Sequence, residues 1–250
     1  MRKGLRLYVL LLAVGMMMGG CKGSVGPAGA DGVNGTSADR AYLSVFTTGV
    51  SPSASYAGVT MNRIDSVNTT TIYSNDGNMY FASAEANERS VVLVKFNIAG
   101  LIPTNAVIHS AIIEMVALGG TNLGGAVTVG ARELRTGSHC AWDSNAKWSD
   151  YNGIATWGAC NANGWSLFNT TACESVMGTA VLTSAFNGGT NRIGLAIAPS
   201  AIRDWLAGDN NGVAIISEHE GADAAGLAVF AAPNHADANL RPTLKVNYSL

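Results

Sequence analysis

Charge is scarce in this chain: Asp, Glu, Lys and Arg make up 13% of its 250 residues, about half the share usual for a soluble domain. Small and turn-forming residues fill the gap, and that composition favours an all-β exported protein over a helical one. An excess of basic residues is missing too. Fifteen Lys and Arg against 17 Asp and Glu give a net charge of −2, which speaks against a nucleic-acid partner. No apolar run is long enough for a comfortable membrane span, since the longest stops at Met18 after starting at Leu7. The signatures of catalysis are absent as well: there is no nucleophile elbow, no HExxH and no phosphate-binding glycine loop. His109, His139, His219 and His235 fall in separate segments. His219 lies between Glu218 and Glu220, but neighbours along a strand point to opposite faces, so an acid/base pair there needs a cleft to bring them together. The expectation is a protein that is not an enzyme and needs no cofactor.

What is present at the start of the chain is an address. Arg2, Lys3 and Arg6 precede the run from Leu7 to Met18, and Gly19, Gly20 and Cys21 follow it. A positive segment, an apolar segment and a small-residue cleavage site make an export signal over residues 1–20. Its removal leaves 12 basic against 17 acidic residues, a charge of −5. Met18-Gly19-Gly20-Cys21 resembles the lipobox of bacterial lipoproteins, in which the cysteine thiol is acylated and becomes the new N-terminus. The resemblance implies lipidation at Cys21, and several acyl chains on one residue meet the requirement for stable attachment to a membrane. The expected location is a membrane-anchored lipoprotein of the bacterial outer membrane or cell surface.

Gly26, Gly29, Gly32 and Gly35 then recur at every third position, with Pro27 among them. This is the collagen pattern in miniature. So few triplets do not sustain a triple helix, and residues 21–40 read as a flexible, solvated, collagen-like tether.

From Ala41 the texture changes to short apolar runs punctuated by Gly, Asn, Asp and Pro, the pattern of strands and turns. Ile193, Leu195 and Ile197 alternate with polar or small residues, as do Leu244, Val246, Tyr248 and Leu250, so each of these strands buries one face. Ser90 to Ile98 and Val107 to Leu118 are apolar on both faces in places, which predicts central strands of two packed layers. Ile202, Trp205 and Leu206 share one face of a short helix over Ala201 to Leu206. Asn210-Asn211-Gly212 predicts a turn into a strand over Val213 to Ser217. Residues 41–250 are expected to form a single β-sandwich or jelly roll with one short helix.

The order of segments in this body carries a resemblance. "RSVVLVKF" at 89–96, Leu101-Ile102-Pro103 leading into "AVIHSAIIEM", "WDSNAKWSDYN", "IRDWLAGDNNGVAI" and "RPTLKVNY" at 241–248 succeed one another. This succession over residues 60–250 resembles the DNRLRE domain family, with Lys95 standing where Arg is commoner and Lys147 where Thr is usual. The resemblance implies a β-sandwich and, because some members are classed as carbohydrate-binding modules, a polysaccharide partner. Fold alone does not decide function.

Trp142, Trp148, Trp157 and Trp165, with Tyr151 and Phe168, crowd one Gly- and Asn-rich stretch. Flat aromatic faces flanked by amides suit a pyranose, whose C–H face stacks and whose hydroxyls need partners. Trp142 and Trp148 read as structural; Trp157, Trp165 and Tyr151 are the glycan-binding candidates. Apart from Cys21 three cysteines remain, and export permits a disulfide. Cys160 with Cys173 closes the shortest loop and is the expected pair, Cys140 with Cys160 is the next choice, and one thiol is left over. His139 with these cysteines lacks the paired short spacings of a zinc site. Asn75, Asp76 and Asn78, or Asp209, Asn210 and Asn211, offer oxygens to calcium but are also ordinary turn residues. Three readings follow: a polysaccharide-binding surface lipoprotein, a structural or self-assembling surface protein, and a polysaccharide-active enzyme.

Overall fold

The computed structural model describes residues 40–74, 78–83, 90–121, 127–134, 141–150, 173–183, 186, 191–217 and 226–250. The expected export signal, Cys21 and the glycine-repeat segment lie outside them. The described strands are β1 (Tyr42–Phe46), β2 (Val59–Asp65), β3 (Asn78–Ser83), β4 (Ser90–Phe96), β5 (Val107–Thr121), β6 (Val127–Leu134), β7 (Cys173–Leu182), β8 (Asn191–Ile197), β9 (Val213–Ser217), β10 (Gly226–Ala231) and β11 (Thr243–Ser249), with one α-helix, α1 (Pro199–Ala207).

Four antiparallel pairs are nested in sequence: β3 with β10, β4 with β9, β5 with β8, and β6 with β7. Such a nest is one long hairpin rolled over on itself, and its strands fall into two sheets, β3-β10-β5-β8 and β4-β9-β6-β7. This is a jelly roll, as the strand pattern led one to expect. β1 extends the first sheet by pairing with β11, and β2 extends the second by pairing with β4. β5 is long, at 15 residues, because it has two partners end to end along one edge. Ala117 faces Asn191 of β8 on one side and Phe230 of β10 on the other, while Glu114 to Val107 face β11 where β10 has ended. Between β10 and β11 residues 232–242 loop outward, and Arg241 secures them by donating from Nε to the His235 carbonyl and from Nη1 to the Thr48 carbonyl, both at 2.8 Å.

Each layer buries the apolar phase of its alternation. Met61, Val92, Val94, Phe96, Val129 and Ile215 from one sheet meet Ile113, Met115, Leu195, Phe230, Leu244 and Val246 from the other. Leu250 departs from the expected alternation, since β11 ends at Ser249 and Leu250 is exposed. The helix runs one to two residues beyond its expected ends, with Pro199 in its first turn and Gly208 closing it at φ 105°, an asymmetry favoured at helix termini. Its buried residues are Ala201, Ile202, Trp205 and Leu206.

The five-stranded sheet is buried on both faces over β2, β4 and β9, while Val176 and Val181 of its edge strand β7 stay exposed. Ile64, Val91, Leu93, Ala214 and Ile216 occupy the outward phase and are still inaccessible. A strap over residues 141–150 lies on this outward face. Trp142, 1% exposed, and Ala146 press onto the sheet; the Trp142 Nε1–H donates to the Asn211 carbonyl at 2.7 Å, Lys95 Nζ to the Trp142 carbonyl at 2.9 Å, and Asn62 Nδ2 to the Ala146 carbonyl at 2.8 Å. A sheet face with a second apolar layer cannot also serve as an open binding surface.

Candidate functional site

The outer face of the six-stranded sheet is open among the described residues. On β8 the buried Ile193, Leu195 and Ile197 alternate with exposed Arg192, Gly194 and Ala196. Pairing registers set the outward phase in rows, in which Val116 and Thr243 are themselves buried. Leu43, Asn247 and Ser110 form one; Val45, Lys245, Ile112 and Ala196 form the next; Thr243, Glu114 and Gly194 the third; Val116 and Arg192 the last. Side chains two apart on a strand and directly opposite across strands share a face, so residues distant in sequence become one surface.

Two depressions, each of about 410 Å³, adjoin on this face and share Lys245 as a lining residue. The polar one is built around Glu114. Lys245 Nζ lies 2.6 Å from Glu114 Oε1, and Arg192 Nη1 lies 3.4 Å from Oε2. Arg192 also donates from Nη2 to the Asn239 carbonyl at 3.0 Å, so the excursion at 232–242 forms one wall. The Thr47 and Thr243 hydroxyls, 2.8 Å apart, line the other side. Two cations hold one carboxylate, a local excess of positive charge in a chain that is acidic overall. Ion pairs this exposed contribute about 0–1 kcal/mol to folding, so stability is a weak reason for their presence. The second depression has an apolar floor of Leu43, Ala111, Ile112 and Ala196, rimmed by Ser110 and Asn247. Ile112 lies over Gly194, where a Cβ would stand 2.7 Å from its Cδ1.

A carboxylate that accepts, cations and an amide that donate, and an adjacent shallow apolar trough match a ligand with hydroxyls on its rim and C–H groups on its face. Glu114 has cations, and no second carboxylate, among the residues lining its depression; the paired carboxylates of a glycosidase are not assembled there.

The sequence-derived candidates are distributed differently. Trp157, Trp165, Tyr151, Cys160 and Cys140 lie outside the described residues, as do Asn75, Asp76, His139 and His219. Cys173 opens β7, opposite Leu134 of β6. Trp142 is structural, as expected, and Trp148 is half-buried. Asn210 spends its side chain on the turn: Nδ2 donates to the Phe96 carbonyl at 2.7 Å and Oδ1 accepts from Gly212 N at 3.0 Å. Gly212 has φ 72°, and a Cβ there would collide with the Val94 carbonyl oxygen, so Asn210-Asn211-Gly212 is a turn built against β4. Among the described residues no cluster of three or more His, Cys, Asp or Glu side chains is placed to hold a metal ion. His109 shares a hydrogen bond with Ser249 Oγ at 3.1 Å.

Glu114, Arg192, Lys245 and Asn239 were not singled out by sequence reasoning. The available signal was that Glu114, Arg192 and Lys245 are charges on the polar phase of otherwise uncharged strand segments; their convergence across separations of 78 and 131 residues is a matter of strand pairing. No protein-family model matches the chain, and no curated protein matches it in sequence. The likeness to the DNRLRE family therefore rests on the order of the motifs quoted above.

Proposed function

We propose that this is an exported, lipid-anchored surface protein whose jelly-roll body binds extracellular or cell-wall polysaccharide without cleaving it. The observation that carries the reading is the asymmetry of the sandwich: one outer face is packed beneath the 141–150 strap, and the other is open, with the Lys245–Glu114–Arg192 cluster beside an apolar trough. Export and anchoring come from the residues preceding Cys21, and the glycan class from the DNRLRE resemblance together with the polar and apolar halves of the open face. Trp157, Trp165 and Tyr151 remain candidates for a stacking contact with the sugar, and a Cys160–Cys173 disulfide would close the loop that contains Trp165. One site of this kind binds weakly, and retention comes from many copies on one membrane engaging a repeating polymer.

The test is affinity electrophoresis and glycan-array binding of the full-length protein. Arg192→Gln and Glu114→Gln each remove a charge-assisted hydrogen-bonding group, worth about 1.5–3 kcal/mol to a bound hydroxyl, and should weaken retention about tenfold or more with little change in melting temperature. Wild-type protein that holds no glycan but self-associates would favour a structural surface protein instead. Shortened polymer in the assay would make it an enzyme.

A further inference from the structure

Nine large apolar side chains are exposed among the described residues, and scattered singly they would need no explanation. Three belong to one end of the sandwich, and a fourth lies in the connection that leads to it. Leu43 is 65% exposed, Val107 and Leu250 56% each, and Leu101 43%. Register places them together: Leu43 sits opposite Asn247, Ser249 opposite Val107, and Leu250 follows at once. Leu101 lies in the connection that enters β5 at Val107.

The same end receives the rest of the chain. Residues 1–39 lead into Arg40, whose guanidinium lies 5.6 Å from the centre of the Tyr42 ring, and Tyr42 stacks on Tyr248 at 5.5 Å. Arg40, the first described residue, is thus held beside Leu43 and Leu250. Residues 40–46, 97–110 and 243–250 contain no Asp or Glu, and Arg40 supplies positive charge, whereas Lys245 is paired with Glu114. An exposed apolar group beside a cation, at the point where a membrane-tethered chain arrives, has the composition of an interfacial contact.

We propose that this end of the body docks on the lipid surface to which Cys21 is attached, with Leu43, Val107 and Leu250 seated among the headgroups. The inference rests on the lipid-anchor reading of Cys21; docking would withdraw Leu43 from the apolar trough it helps to floor, leaving the Glu114 depression as the glycan contact of a docked body. A short tether keeps the body at a local concentration in the millimolar range, so a contact too weak to recruit a free protein is sufficient to orient a tethered one. Docked this way, the body turns the opposite end of its open sheet outward. Arg192 and Asn239 stand there, rows away from Leu43 along the same face, so the contact would present the Glu114 cluster to the exterior.

The test uses the full-length protein reconstituted in phosphatidylethanolamine/phosphatidylglycerol vesicles. An environment-sensitive fluorescent amino acid is placed at position 43 or, in a second preparation, at position 236 in the excursion beside Asn239, and quenching by lipids brominated in the upper acyl chain is measured. Quenching at 43 should exceed that at 236 several-fold, and Val107→Asp with Leu250→Asp should bring it down to the level at 236 while flotation with the vesicles and the melting temperature persist. Equal quenching at both positions in floating protein overturns the docking and leaves the anchor intact. Protein that does not float and carries an unmodified Cys21 by mass spectrometry overturns anchor and docking together. A blue shift at 43 that depends on protein density and not on brominated lipid assigns the apolar end to a second copy of the chain and refutes the lipid contact.

Discussion

Replacing Trp142 by Ala tests whether the 141–150 strap is part of the core. The indole is 1% exposed and lies on the outward face of β4 and β9, so truncation removes its transfer free energy and leaves a cavity; Trp-to-Ala changes in such sites cost about 3–5 kcal/mol. The Nε1–H bond to the Asn211 carbonyl disappears as well, a net loss of about 1 kcal/mol. Lys95 Nζ, 4.8 Å from the ring centre, forfeits a cation–π contact of about 0.5–1 kcal/mol. These terms overlap, and a domain of ordinary stability has only about 5–15 kcal/mol in hand. Trp142→Ala should therefore remove at least about 3 kcal/mol, and Trp142→Phe, which keeps much of the volume but not the N–H, about 1–2 kcal/mol. Urea unfolding followed by far-UV circular dichroism measures both; Trp148→Ala, at a half-buried position, should cost less than Trp142→Ala. A loss below about 1 kcal/mol for Trp142→Ala, with strap amides still protected from hydrogen exchange, would refute the argument that the indole anchors the strap.

Two further outcomes follow from the backbone and from burial. A Cβ at Gly178 would lie 2.9 Å or less from the backbone N, O and Cα of Ala196, so Gly178→Ala forces β7 away from β8 and should destabilise by about 1–3 kcal/mol; a melting temperature equal to wild type would show that this edge yields freely. Burial holds the Lys95 pKa below its ordinary value of 10.5, partly opposed by Asp143. Between the folded and unfolded pKa values the unfolded chain then binds more protons, so the Lys95 contribution to stability rises with pH through that window and is lost as pH falls back through the folded pKa. The stability difference between wild type and Lys95→Met should move in favour of wild type as pH climbs towards 10.5 and stay level below the window; a difference independent of pH across that range would contradict the desolvation.

Strand and helix identity were legible because they depend on spacing along one segment. The alternation of Ile193, Leu195 and Ile197, the turn at Asn210-Asn211-Gly212 and the apolar stripe of Ile202, Trp205 and Leu206 each report a local burial pattern, and each became the element it implied. The jelly roll itself was within reach, since a low-charge chain of short strands has few other ways to cover two sheet faces. Trp142 could be called structural for the same reason. The candidate site was not legible. Glu114, Arg192 and Lys245 meet because β5 is flanked by β8 on one side and β11 on the other, a pairing that joins three distant segments and turns three solitary charges into one cluster. The choice of the open face was likewise tertiary. Either sheet could have remained exposed as far as periodicity shows, and the packing of the 141–150 strap, through Trp142, against β2, β4 and the Asn211 turn covers part of one of them, because an aromatic anchor gains most where it is withdrawn fully from water.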